Sequence, residues 1–168
     1  GLVHIEIAPS AADAERSERV RRALGLRRAV VVGDGVGSEL EAVRRAVGRL
    51  SARLVTELAG RESVIGISSS LALIAMGEEI DSLGDSTVVQ LNGVVSSEVT
   101  GVGPVELARD LAAKSSGSSR VFYAPFVTPS AASARDLRRE PSIRWAMSAY
   151  ARLDLAVVTA GRLAELVA

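Results

Sequence analysis

Three consecutive serines, Ser68, Ser69 and Ser70, stand between the apolar run of Val64, Ile65 and Ile67 and an apolar stretch that begins at Leu71. The pattern reads as a buried strand, a tight turn and the start of a helix. The first backbone N–H groups of a helix have no intrahelical partner and the helix dipole is positive there, so such a turn is an anion site, and its hydroxyls add further donors. The expected occupant is the phosphate of a small metabolite. The plainer alternative is that the serines only cap the helix. A second polar set, Gln90, Asn92 and Gly93, ends the apolar run Val88 and Val89. Polar residues and a glycine at a strand's carboxyl end belong where open α/β sheets bind ligands. For Gln90 and Asn92, ligand contact and hydrogen bonding to neighbouring loops are both open.

Other patterns imitate chemistry without completing it. GISSS at 66–70 resembles the G-x-S-x-G nucleophile elbow, but Ser70 replaces its last glycine. The only histidine, His4, precedes every candidate nucleophile on a predicted edge strand, so no serine hydrolase and no catalytic residue is expected. GDGVGS at 33–38 follows a valine run and opens a helix, as a dinucleotide fingerprint does. Ser38 stands in place of its third glycine and no acidic residue marks the end of a following strand, so this is read as a flexible turn with no cofactor. Glu78, Glu79, Asp81 and Asp85 cluster at a helix end and read as solvated surface, with no metal expected. Asp154 opens the last predicted strand, away from the site, and Trp145, Met147 and Tyr150 read as packing residues of a helix.

The elements that must position the serines follow from composition and pattern. The 168 residues fit one domain. Hydrophobic residues make up 48% but aromatics only 3%, so the core is built from Val, Leu, Ile and Ala, which suits parallel strands covered on both faces by helices. Twenty basic and 20 acidic residues give zero net charge, which does not recommend a nucleic-acid or membrane binder. Lys114 is the only lysine, and cysteine is absent, so Schiff-base and thiol chemistry have almost no candidates and a cytoplasmic location is expected. No apolar run approaches the roughly 18 residues of a membrane span. The first residues carry no signal-peptide pattern and read as a strand entered in mid-chain.

Strands are expected at 3–7, 29–32, 64–67, 87–91, 120–123 and 153–158, alternating with helices. Ser10 or Asp13 is expected to cap the first helix and Thr128 or Ser130 a later one. A long helix over about 38–59 is expected to bury Leu40, Val43, Val47, Leu50, Leu54 and Leu58 on one face. The segment 94–103 reads as a loop. The result is an α/β fold with a mostly parallel sheet, in which the turns at 68–70, 90–93, 124–126 and 159–161 share one edge.

Taken in order, VIGISSSLAL (64–73), VVQLNGVV (88–95), ELARDLA (106–112), FYAPFVTPSA (122–131) and DLAVVTAG (154–161) resemble the sugar-binding effector domain of SorC/DeoR-type bacterial transcriptional regulators. The resemblance covers nearly the whole chain. It implies a Rossmann-like fold related to the sugar-phosphate isomerase, deaminase and coenzyme A transferase group, a phosphorylated sugar as effector, a homo-oligomer and no catalytic turnover. It places Ser68, Ser69 and Ser70 on the phosphate turn, Gln90, Asn92 and Gly93 on the sugar side, and Gly161 on the turn after the last strand. Ser70, Ala72, Thr159 and Ala160 depart from the family's pattern. The resemblance also implies that operator DNA is contacted only through an N-terminal module absent from this chain, which reads as a single effector domain cut at both ends. Two alternatives remain open: a sugar-phosphate isomerase or deaminase-like enzyme, and a dimerisation domain with a vestigial pocket.

Overall fold

The structure, a computed structural model, describes residues 12–94 and 102–160. The predicted strand at 3–7 with His4, the candidate cap Ser10, most of the 94–103 loop and Gly161 lie outside them. The described chain opens with β1 (Ala12–Asp13) and α1 (Ala14–Ala23), and Asp13 is the N-cap, its carboxylate accepting from the Arg16 N–H at 2.9 Å. Gly25, at φ +62°, takes the left-handed conformation that ends this helix.

The valine run departs from expectation. Only β2 (Val31–Val32) forms, half-exposed, and it pairs antiparallel with β1 rather than joining the main sheet. The Val31 N–H donates to the Ser17 hydroxyl of α1 at 2.8 Å, so that donor is not available to a sheet ladder. The glycine-rich segment after it makes a single 3₁₀ turn, Asp34–Val36, and both Asp34 carboxylate oxygens accept from Arg16, at 2.6 and 2.7 Å.

α2 (Leu40–Leu58) is the longest helix described, and its buried face is not the predicted one. Leu40 and Leu58 are 71% and 57% exposed, and Val43, Val47, Leu50 and Leu54 are half-buried. The buried positions are Ala46, Gly48, Ala52 and Val55. A methyl group at Gly48 would lie 2.8 Å from the Ala75 carbonyl carbon of the neighbouring helix. Small residues let the two backbones meet, and this contact decides the orientation where leucine content alone points to another face.

The main sheet holds β3 (Val64–Ile67), β4 (Thr87–Gln90), β5 (Ser119–Arg120) and β6 (Leu155–Val157) in the order β5-β4-β3-β6, all parallel. Between them run α3 (Leu71–Glu79), α4 (Pro104–Ala113), α5 (Ala131–Arg139) and α6 (Pro141–Met147). Strand alternation divides the sheet into two faces. Ile65, Ile67 and Val88 pack with Leu73 and Met76 of α3 and Leu107 and Leu111 of α4 in the larger core. On the other face Phe122 packs with Ile143 and Ala146 of α6 in a smaller one. Each buried Leu or Ile contributes on the order of 1.5–3 kcal/mol, so the larger cluster dominates.

Proline and serine set the helix starts. Pro104 and Pro141 occupy first-turn positions, and Ser130, not Thr128, caps α5 by accepting from the Ser133 N–H at 3.1 Å. At the far end of α3, Lys114 Nζ donates to the carbonyls of Gly77 and Ile80, both at 2.8 Å. A cation on the terminal carbonyls of a helix satisfies acceptors without intrahelical partners and complements the dipole.

Candidate functional site

The parallel register brings the carboxyl ends of β3 and β4 side by side, with Ile67 opposite Gln90. Beyond them the chain continues into the serine turn on one strand and Leu91, Asn92 and Gly93 on the other. The two segments touch: the Ser69 N–H donates to Asn92 Oδ1 at 3.0 Å. On the other side, the Ser68 N–H donates to the Val157 carbonyl of β6 at 3.0 Å.

Ser70 caps α3. Its Oγ accepts from the Leu73 N–H at 3.2 Å and its carbonyl from the Ile74 N–H at 2.9 Å. The N–H groups of Ser70, Leu71 and Ala72 have no hydrogen-bond partner among the described residues. The Ser68 hydroxyl is buried and also has none. The turn therefore combines three open amide donors, the positive end of a helix and an unpartnered hydroxyl, a set suited to an oxyanion. Capping and anion binding are not exclusive here, because Ser70 performs the first and leaves the neighbouring amides open.

Gln90 is fully buried, and its amide is occupied at both ends. Nε2 donates to the Asn92 carbonyl at 2.8 Å and Oε1 accepts from the Phe122 N–H at 3.0 Å. The second bond explains why β5 ends at Arg120 rather than at Tyr123: the Phe122 N–H goes to a side chain instead of a ladder carbonyl. Gln90 thus ties the site strand to its neighbour. Asn92 is half-buried, and its Nδ2 donates to the Gly93 carbonyl at 3.1 Å. Gly93 allows close passage, since a methyl group there would press on the Pro125 carbonyl and lie 2.7 Å from the Ala124 oxygen. That approach lets the Val94 N–H reach the Ala124 carbonyl at 2.7 Å and the Phe126 N–H reach the Val94 carbonyl at 2.9 Å. The turns at 68–70, 90–93 and 124–126 accordingly share one edge; Gly161 lies outside the described residues.

Tyr150, expected only to pack, also supports this edge. Its hydroxyl donates to the carbonyls of Gln90 at 2.8 Å and Leu91 at 3.3 Å, and burial pushes its phenol above the usual range. Trp145 is half-exposed and lies under the Arg120 guanidinium, 3.9 Å from ring centroid to charge centre, a cation–π pair on edge strand β5. Asp154 anchors the opposite end of the sheet, its Oδ2 accepting from the Val64 N–H at 2.9 Å. In the acidic cluster, Glu79 pairs with Arg49 at 4.0 Å and Asp85 with Arg61 at 3.6 Å, both at the surface.

A cleft of about 600 Å³ opens at the other end of α3, lined by Arg49, Arg53, Glu57, Glu79 and Asp81. Cavity and donors do not coincide. The site is defined by the donors, because an anion is recognised by N–H and O–H groups, and the cleft walls interleave both signs of charge.

A family model described as "Putative sugar-binding domain" matches residues 8–167. Among solved structures, the full-length sorbitol operon regulator SorC from Klebsiella pneumoniae superposes with a TM-score of 0.77 at 22% identity, over 92% of this chain and 51% of that one. A transcriptional regulator from Streptococcus pneumoniae gives 0.75 at 16% identity, over 86% of this chain and 56% of that one. A DeoR family transcriptional regulator from Listeria monocytogenes gives 0.71 at 20% identity, over 84% and 56%. At these identities the superpositions show the Rossmann-like fold, and the chain spans about half the length of the solved regulators it matches. No curated protein matches the sequence.

Proposed function

This chain belongs to the sugar-binding domain family, and from that premise we propose that it is the effector domain of a bacterial transcriptional regulator, with a phosphorylated sugar as its effector. Membership sets it among binding domains rather than enzymes. The observation that carries the phosphate assignment is the serine turn, where the amides of Ser70, Leu71 and Ala72 and the buried Ser68 hydroxyl lack partners among the described residues.

In this reading Ser68, Ser69 and Ser70 hold the phosphate. Asn92 and Gly93 border the sugar, Gln90 fixes their backbone from beneath, and Gly161 belongs to the adjoining turn. The domain acts as a homo-oligomer in the cytoplasm, and effector binding shifts the arrangement of subunits. Operator DNA is contacted by a separate module outside the matched half of the regulator, in keeping with a net charge of zero. No helix among the described residues is long and apolar enough to cross a membrane.

Thermal-shift screening against pentose and hexose phosphates tests the proposal. A true effector at a hundred times its Kd raises stability by about 2.7 kcal/mol, a shift of several degrees for a domain of this size. The unphosphorylated sugars should give far less. Equal stabilisation by a sugar and its phosphate would remove the phosphate assignment, and no stabilisation by any compound would remove the sensor reading.

A further inference from the structure

The Ser69 N–H points at the carboxamide oxygen of Asn92, 3.0 Å away, while the amides of Ser70, Leu71 and Ala72 beside it have no partner among the described residues. A carboxamide oxygen is an acceptor with partial negative charge. At this donor it has the place and polarity that a phosphate oxygen would have. The backbone carrying Asn92 is fixed, because Gln90 Nε2 donates to the Asn92 carbonyl at 2.8 Å from a fully buried position. The side chain itself is half-buried and, among the described residues, held otherwise by one bond, Nδ2 to the Gly93 carbonyl at 3.1 Å. It can therefore leave Ser69 by rotating about its own χ angles, with no movement of the sheet.

We propose that Asn92 is an internal competitor of the anion: in the free protein its side-chain oxygen occupies the Ser69 N–H, and the ligand binds by displacing it. This rests on the sugar-phosphate reading of the turn, and it reverses the sign of the expected Asn92 contribution, from adding affinity to limiting it. Four consecutive N–H groups, 69–72, are then offered to one tetrahedral anion, and among the described residues only the first has to be taken from a protein acceptor. Displacement is favourable because hydrogen bonds to a charged oxygen are roughly twice as strong as those to a neutral one. Its cost is one net hydrogen bond, on the order of threefold to tenfold in affinity.

Calorimetric titration of the wild-type chain, Asn92→Ala and Asn92→Asp with inorganic phosphate and with glucose 6-phosphate tests this. The expected result is that Asn92→Ala binds both probes about threefold to tenfold more tightly than wild type. Asn92→Asp, nearly isosteric but charged, should bind at least about tenfold more weakly at pH 7, since it holds Ser69 more firmly and repels the anion. Equal or weaker binding by a folded Asn92→Ala overturns the inference while leaving the sugar-phosphate reading in place. If Asn92→Ala does not fold, the aspartate variant decides, and undiminished binding by it has the same effect. Absence of binding by all three proteins to both probes and to every sugar phosphate overturns both readings together.

Discussion

The Tyr150 hydroxyl donates to the Gln90 carbonyl at 2.8 Å, across 60 positions of sequence, and so closes the carboxyl end of β4. Burial raises the phenol's pKa above its usual value of 10.0, which means that the folded state favours the protonated form. The resulting stability is fully present below pH 10 and is lost as pH rises through the elevated folded value. Tyr150→Phe should cost about 1 kcal/mol at neutral pH. The gap between the two proteins in urea melts should narrow above pH 10, and a gap of constant size up to pH 11 would contradict the burial assignment.

Gly93 is required by distance rather than by backbone conformation. Its φ is not in the left-handed region, but a methyl group would press on the Pro125 carbonyl. Gly93→Ala should destabilise the domain by about 2 kcal/mol or more, because the obstacle is backbone that cannot step aside. Gly35→Ala is the control, with open space around the position and no positive φ, and it should change stability by less than about 0.5 kcal/mol. Denaturant midpoints of the two variants measure the difference.

Ser68 and Ser69 separate stability from binding. The Ser68 hydroxyl is buried without a partner among the described residues, so Ser68→Ala removes an unmet donor and should leave stability within about 0.5 kcal/mol of wild type or raise it. The same variant should weaken sugar-phosphate binding by about threefold to tenfold. Ser69→Asp puts like charge at the anion's place and should abolish phosphate-dependent stabilisation without unfolding the chain. Survival of binding in Ser69→Asp would reduce the turn to a helix cap.

Lys114 was notable in the sequence only as the single lysine, yet it caps the carboxyl end of α3 through the Gly77 and Ile80 carbonyls. Lys114→Met keeps much of the stem's apolar contact and removes the charge. A loss of about 1–2 kcal/mol in thermal or denaturant unfolding is expected, with phosphate affinity unchanged because the serine turn lies at the other end of the helix. A parallel loss of affinity would mean that the cap tunes the dipole felt at the turn.

The features legible in the sequence were those set by neighbours along the chain. The serine turn, a cap among its three serines, Asp13 as one of two candidate caps and the parallel strands of 64–67 and 87–90 all follow from residue type and spacing. The resemblance carried by those same stretches led to the correct family. What could not be read depends on partners far away. The valines at 29–32 look like any buried strand until Ser17 takes the Val31 N–H. The leucines of α2 look like its core face until Gly48 and Ala75 bring two backbones together. Gln90 looked like a candidate contact, and only the Phe122 N–H, 32 positions on, shows that its amide is committed to holding strands.

The contact of Gly48 with Ala75 has a mechanical consequence. Two helices separated by a layer of long side chains can slide, because rotamers absorb the displacement. Where the backbones meet at Gly48 and Ala75 there are no long side chains to absorb such a displacement, so α2 and α3 resist sliding at that point. The serine turn leads directly into α3, so the helix whose first amides it presents is seated by its closest contact on a neighbouring helix rather than on the sheet alone.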